Sequence, residues 1–242
     1  MDGIIIVNKP QGWTSFDVVA KIRNLTRVKK VGHSGTLDPM ATGVLPVFLG
    51  KATKSINQYL NGDKGYDGEM AIGVRTDSGD ADGQILNPKS EILNNTEISI
   101  SKSKIEEIFK KYVGEIEQVP PMFSAVKING QRLYELARKG IEVERKARKI
   151  TIYALRITHY DSPDATHPRL TFSVLCSKGT YIRQLVMDIG DDLGCGAHLS
   201  KLVRTYAHPF HLSQAIDMET IVNLAKIGKL ETIVLPYETS NS

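Results

Sequence analysis

The stretch GHSGTLDPMATGVLPVFLGKATK, residues 32–54, gathers Gly32, Gly35 and Gly43 around His33, Ser34 and a single carboxylate, Asp38. Asp38 precedes Pro39, which biases it away from helical geometry. The glycines let the backbone bend tightly and let a ligand come close. Two readings fit such a carboxylate. It caps its own turn, or it is an ionised nucleophile that attacks a carbon such as a sugar's anomeric centre. The second reading requires a cationic partner that keeps the carboxylate charged.

Other chemistries fit this sequence poorly. A nucleophile elbow needs Gly-x-Ser-x-Gly, but Thr36 stands where the last glycine belongs. A phosphate loop fails twice, with Leu45 in place of the first glycine and Ala52 after Lys51. In SGDADG, Ser78, Asp80, Asp82 and Gly83 resemble a calcium loop, but its twelfth position is Lys89. A turn rich in Asx-type hydrogen bonds fits that segment better. Cys176, Cys195, His198, His208 and His211 lack the spacing of a zinc site. No dinucleotide fingerprint follows a strand. The expectation is catalysis by side chains alone, with no metal and no cofactor.

The elements that must carry Asp38 can be read next. With 242 residues, 41% of them hydrophobic, the chain can form one large domain or two small ones. No apolar run approaches the ~20 residues of a membrane helix. The opening MDGIIIVNKP lacks the pattern of a secretory signal, so the expected location is the cytoplasm. The run GIIIV reads as a buried strand. A helix follows, capped by Thr14 and Asp17, with Phe16, Val19 and Ile22 (and Val18 and Leu25) on its apolar stripe. VLPVFLG, YDGEMAIGV, TIYALRITHY and RLTFSVLC read as strands. Ser103 and Glu106 are the expected caps of a helix through Ile105, Ile108, Phe109 and Tyr112, ended by Gly114. TYIRQLVMDIGDDLG and SQAIDMETIVNLAKIG read as further helices, and residues 90–101 as loop. The irregular order of strands and helices predicts an α+β fold with much antiparallel pairing.

The net charge is +4, but residues 127–149 hold eight Lys or Arg against three acids, a local excess of +5. The rest of the chain is therefore near −1. Such a segment is either a solvated face or an arm that contacts phosphates.

Residues 32–54 closely resemble the catalytic motif of the TruB-type pseudouridine synthases, which modify the T loop of tRNA. The resemblance continues through IIIVNKPQGWTS, GYDGEMAIGVRTDSGDADG, QVPPMFSAVKINGQRLYELARKG and CSKGTYIRQLVMDIGDDLGCGAHLSKLVRT, in family order over most of residues 4–205. It implies the pseudouridine synthase fold: a central mixed, largely antiparallel sheet flanked by helices. A catalytic domain is expected over residues 1–205, with a thumb insertion at about 124–148. Residues 206–242 are expected as a short tail, too few for the extra RNA-binding PUA domain of many bacterial members.

The implied reaction isomerises the uridine at position 55 of the T loop. The bond between C1′ and N1 breaks, the base turns, and C1′ joins C5. Asp38 matches the essential aspartate, attacking C1′ or, in the other view, C6. Tyr66 matches a tyrosine that stacks on the base and whose phenol could move a proton. Arg183 matches the arginine that pairs with that aspartate. Tyr181 matches a second pocket tyrosine, Leu202 an apolar wall, and Asp80 an acid that contacts substrate. Lys9 lies in the Lys-Pro motif with a supporting role. His33 matches a histidine that enters the T loop where bases have swung out. Arg145, Lys146, Arg148 and Lys149 fall at the thumb, expected to order on RNA. The implied partner is the T stem-loop of tRNA, with no membrane, no obligatory protein partner and a monomeric chain. A rival of another class is an RNA chaperone that opens the T loop without chemistry.

Overall fold

The structure, a computed structural model, describes residues 1–86, 100–128, 130–160 and 168–237. The run GIIIVNK forms β1 (Gly3–Lys9), and its unbroken apolar stretch is explained by cover on both faces. Helix α1 (Ser15–Thr26) starts at the expected box: the Thr14 hydroxyl accepts from the Asp17 amide at 3.0 Å, and the Asp17 carboxylate accepts from the Thr14 amide at 2.8 Å. Its buried stripe is Val18, Val19 and Ile22; Phe16 departs from the expected stripe and lies 68% exposed. β2 (Val31–His33) and β3 (Thr42–Leu49) then flank the Asp38 loop, and α2 (Ile56–Leu60) and β4 (Lys64–Ile72) follow.

Helix α3 (Lys102–Lys111) is capped by Ser101, whose hydroxyl accepts from the Lys104 amide, and not by Ser103. The helix ends before Gly114, which opens β5 (Gly114–Gln118) at φ +110°. A small hairpin, β6 (Lys127–Ile128) and β7 (Gln131–Arg132), leads into α4 (Leu133–Ala137). The long strand β8 (Arg148–Tyr160) and β9 (Arg169–Cys176) occupy the two runs rich in β-branched residues. α5 (Ile182–Asp192), β10 (Ala197–Ala207), β11 (Phe210–His211), β12 (Ile216–Asp217) and α6 (Met218–Lys226) come last. Here α6 is shorter than expected, because Ile216 and Asp217 pair with β1 as a strand. The loop expected at residues 90–101 lies mostly outside the described residues.

The chain forms two compact units, Met1–Tyr66 with Leu202–Ser242, and Asp67–Lys201. In the first, β1 runs antiparallel to β3 in register from Gly3↔Leu49 to Lys9↔Gly43, with β12 parallel on its other edge. One face packs Ile5, Val7, Leu45 and Val47 against Val18, Ile22, Met218 and Ile221 from α1 and α6. The other packs Ile4, Ile6, Val44 and Phe48 against Ala207 and Phe210. Ala207, Phe210, Met218, Ile221 and Leu230, all beyond residue 206, are therefore part of this core, and Leu235 closes two backbone hydrogen bonds with Ile4.

In the second unit the strand order is β4-β9-β8-β5, with β9–β8 and β8–β5 antiparallel. Ile105, Ile108 and Phe109 of α3 are buried, with the Phe109 ring edge-on to Phe172. The architecture is α+β, a mixed and largely antiparallel sheet flanked by helices.

One polar network ties the strands of this second unit. The Glu69 carboxylate accepts from Arg169 at 2.7 Å, the Ser200 hydroxyl at 2.7 Å and Lys201 at 2.9 Å. Burial alone would raise its pKa, but these hydrogen bonds outweigh it and hold the carboxyl at about 2. The folded value lies below the unfolded one, so this stabilisation is present above pH ~4.5 and is lost as pH falls toward 2. Glu69→Gln should cost about 2–3 kcal/mol at pH 7, measured by urea unfolding, and nearly nothing at pH 2. A deficit that does not change with pH would refute the electrostatic origin.

Candidate active site

Asp38 sits on the loop between β2 and β3, and backbone contacts hold the loop on both sides of it. The Leu37 amide donates to the Ser15 hydroxyl at 2.9 Å, and that hydroxyl donates back to the Leu37 carbonyl at 3.3 Å. On the other side, the Gly12 amide donates to the Pro39 carbonyl at 2.8 Å. The Asp38 carbonyl accepts from the Ala41 amide at 3.0 Å, closing the turn. The carboxylate is thus carried by a loop whose backbone is fixed from β1 and α1. Placing a reactive group on a rigid support preserves its aim.

Lys9, at the end of β1, is fully buried. Its ammonium donates to the carbonyls of Trp13 at 2.6 Å, Pro10 at 3.0 Å and Pro39 at 3.3 Å. Burial lowers its pKa to about 8, against the raising pull of the Asp38 carboxylate. At pH 7 the amine is mostly protonated, a cation in the field of Asp38. Lys9 thus ties the Lys-Pro turn to the residue after Asp38.

Arg204, on β10, was not singled out from sequence. It is 1% exposed. Its Nε–H donates to the Val44 carbonyl at 2.7 Å, and its terminal nitrogens donate to Gly35 at 3.1 Å and more weakly to Thr36 at 3.5 Å. The Tyr66 phenol lies near enough to act electrostatically on its guanidinium. Gly43 lies against the Arg204 backbone at φ +102°, and a Cβ there would fall 2.3 Å from the Arg204 carbonyl oxygen. Only glycine allows β3 and β10 to meet at that point. The available signal was the period of two: Leu202 and Arg204 share one face of β10, and Leu202 is buried.

His33 ends β2, half-buried. Burial, then the charge of Arg204, lowers its pKa below the usual histidine value, so the ring is neutral at pH 7. A neutral, flat ring suits insertion among bases.

In the second unit, Arg183 lies at the start of α5 and is 5% exposed. It donates to the carbonyls of Phe123 at 2.7 Å and Ser78 at 2.8 Å, and its Nε lies 3.5 Å from the Asp80 carboxylate. Asp80 also accepts from the Ser78 hydroxyl at 2.6 Å and the Asp82 amide at 3.2 Å, the Asx-type turn expected there. Tyr181 caps α5, with its backbone amide and carbonyl both held by the buried Gln118 side chain at 2.8 and 3.1 Å. Gln118 too was missed, since nothing local marks a glutamine that bridges to residues 63 positions away. Thus Arg183, Asp80 and Tyr181 come together in one unit. Asp38, Lys9, His33, Tyr66, Leu202 and Arg204 belong to the other.

The basic segment is only partly free charge. Arg145 donates to Glu142 at 3.1 Å and to the Pro120 carbonyl at 3.2 Å. Lys149 pairs with Glu115 at 2.8 Å. Lys146 and Arg148 are exposed and form no ion pair among the described residues. Nor, among those residues, does any group of three His, Cys, Asp or Glu side chains suit a metal ion.

A family model described as TruB family pseudouridylate synthase, N-terminal domain, matches residues 23–182. The chain belongs to the TruB family of pseudouridylate synthases. A second model, a tRNA pseudouridylate synthase B C-terminal domain, matches residues 183–240. A protein named tRNA pseudouridine synthase B from Geobacillus thermodenitrificans is 45% identical over 98% of this chain and 78% of its own length. One of the same name from Clostridium kluyveri is 49% identical over 90% of this chain and 72% of its own. Among solved structures, a Cbf5–Nop10–Gar1 complex superposes with a TM-score of 0.71 at 31% identity. That match covers 96% of this chain and 56% of the other. A box H/ACA particle bound to a substrate RNA containing 2′-deoxyuridine gives 0.69 at 27% identity, covering 97% and 59%. The resemblance of the motifs and the fold of the TruB-family member therefore agree. Among the described residues no helix is long and apolar enough to cross a membrane.

Proposed function

We propose that this chain is a tRNA pseudouridine synthase that isomerises the uridine at position 55 of the T loop. The observation that carries the reading is Asp38 on a loop fixed at Leu37 and Pro39, with the buried ammonium of Lys9 in its field. A binding module has no use for a carboxylate so supported. The names of the relatives from Geobacillus and Clostridium support tRNA as the substrate.

In this reading the target uridine leaves its stack, at a cost of a few kcal/mol. The neutral His33 ring fills the gap and recovers stacking of ~1–3 kcal/mol. Asp38 attacks C1′ as the bond to N1 breaks. By the family resemblance Tyr66 stacks on the base, Leu202 is an apolar wall, Tyr181 a second tyrosine for the substrate, and Arg183 the cation of the reaction, held within its own unit by Asp80. Nothing is oxidised and no water is consumed. The catalytic domain is residues 1–205 with the thumb at about 124–148, and the segment read as a short tail packs Ala207, Phe210, Met218 and Ile221 into the core of the first unit. The chain acts as a monomer in the cytoplasm.

The test uses tRNA transcript carrying tritium at uridine C5, with no metal or nucleotide added. Forming the C1′–C5 bond expels the label, so about one equivalent should be released per tRNA. Tight binding with no release would favour the RNA chaperone instead.

The charge pattern refines the RNA-binding prediction. Among the described residues Lys146 and Arg148 form no ion pair, whereas Arg145 and Lys149 are offset by Glu142 and Glu115. Replacing Lys146 and Arg148 by alanine should lower the salt slope of tRNA binding by about 1.4, at ~0.7 per phosphate contact on single strands. Replacing Arg145 and Lys149 should lower it less. Equal effects, or none, would return the segment to a plain solvated face.

A further inference from the structure

The thumb is not the most cationic stretch of this chain. Residues 18–62 hold seven Lys or Arg and one acid, Asp38 itself, a local excess of +6. All of them lie in the first unit. Packing brings five of these cations together. The Gly50 amide donates to the Lys30 carbonyl at 2.8 Å, which sets Lys51 beside the turn that carries Arg27, Lys29 and Lys30. Lys51 and Lys54 stand three residues apart in the 3₁₀ turn Gly50–Ser55, so they share one side of it. All five are exposed, and none forms an ion pair among the described residues. Asp2 also lies here, its carboxylate accepting from the Lys51 amide at 2.9 Å. Five cations less that acid leave +4.

Arg27 carries a further sign of use. It caps the end of α1 at φ +55°, and among the described residues no other side chain but glycine's occupies the left-handed region. Glycine is the residue that most often ends a helix there, because a Cβ is strained in that conformation. A cation near a helix C-terminus gains from the dipole, but Arg23, one turn earlier, has that gain without strain. A side chain kept against its own backbone points to a use outside the fold.

The place of these groups says what they meet. Arg23 donates to the Val31 carbonyl at 3.4 Å and ties this end of α1 to β2. His33 ends β2, three residues from Lys30, about 10 Å along an extended chain. We propose that Arg27, Lys29, Lys30, Lys51 and Lys54 form a surface that binds the phosphate backbone of the RNA stem adjoining the loop that His33 enters. The choice of that stem rests on the pseudouridine reading above. A membrane-binding surface would set apolar side chains beside the cations. Here Val28 packs against the core and Ala52 is fully buried, so the cations stand without them.

The test is filter binding of unmodified tRNA transcript across a range of potassium chloride. Arg27→Gly should bind about tenfold more weakly at about 50 mM salt, with the log–log slope reduced by ~0.7–0.9. Its melting temperature should hold or rise, because glycine relieves the backbone. Arg27→Gly combined with alanine at Lys30, Lys51 and Lys54 should lower the slope by about 3. Alanine at Lys226 and Lys229, exposed in the same unit, is the control and should leave the slope in place. An unchanged slope in the combined variant would overturn the proposal. Equal losses from the control would do so too, since they mark a diffuse field and not a surface. A lower melting temperature with unchanged RNA affinity would make Arg27 a helix-end cation only. Cosedimentation with phosphatidylglycerol vesicles, lost in the combined variant while RNA binding stays, would assign the surface to a membrane instead. If the combined variant does not fold, the salt slopes of Arg27→Gly and Lys30→Ala decide. Normal tritium release with an unchanged slope refutes this proposal alone. A reduced slope without tritium release from the unsubstituted chain refutes the pseudouridine reading and leaves the RNA surface.

Discussion

Asp38→Asn should bind tRNA as tightly as the unsubstituted chain and turn it over at least ~10⁴-fold more slowly, the scale set by removing a nucleophile that acts within a unit. The substitution keeps the shape of the side chain and removes its charge. The loop should keep its place, because the contacts that fix it run through the Ser15 hydroxyl, the Gly12 amide and the Lys9 ammonium to the backbone of Leu37 and Pro39. None of these needs the Asp38 carboxylate. A melting temperature close to that of the unsubstituted chain is therefore part of the prediction. Loss of the carboxylate also removes the attraction that raises the Lys9 pKa, so that value should move below about 8. Filter binding, tritium release and a melt are the measurements. Turnover within tenfold of the unsubstituted chain would remove Asp38 as the nucleophile. Lost binding together with lost turnover would instead mark it as a recognition residue.

Why the sequence revealed some of this and not the rest follows from the range of each interaction. The Thr14–Asp17 box spans three residues, and both halves of it form as read. The buried strands were legible because their apolar runs are covered on both faces of β1 and β3. Phe16 was misplaced because periodicity alone cannot tell the edge of an apolar stripe from its centre. Ser101 won the cap of α3 over Ser103 because both serines fit the pattern and only one stands a residue before the helix. Motif resemblance located Asp38, Tyr66 and Arg183 by position. It gave no sight of Arg204, because a charged residue on a strand reads as solvent-facing until its neighbours are known. Its acceptors lie 160 to 169 residues earlier. The thumb charge was countable from sequence, but Glu115, which offsets Lys149, lies outside the counted segment and meets it only through the β5–β8 pairing.

Asp80→Asn should be the most damaging change that leaves the nucleophile untouched. The pair it forms with Arg183 is buried, with side chains 10% and 5% exposed. Breaking a buried pair by removing one charge costs roughly 3–5 kcal/mol, because the remaining ion stays desolvated. The lower end applies here, since Arg183 keeps its bonds to the carbonyls of Ser78 and Phe123. Asp80 also organises its own turn, accepting from the Ser78 hydroxyl and the Asp82 amide. Both bonds go to Oδ1, which an asparagine keeps, so the turn should survive while the ion pair does not. If Arg183 supplies the cation of the reaction, a shift of about 1 Å in its guanidinium lowers turnover about 10²-fold. That loss should fall on kcat, with tRNA affinity changed little, because a group fixed inside the protein does not neutralise backbone phosphates. Single-turnover rates and filter binding separate the two quantities. A loss confined to affinity would move Asp80 and Arg183 from chemistry to recognition. A normal rate in a destabilised protein would make the pair a purely structural clamp between the turn at Asp80 and the start of α5.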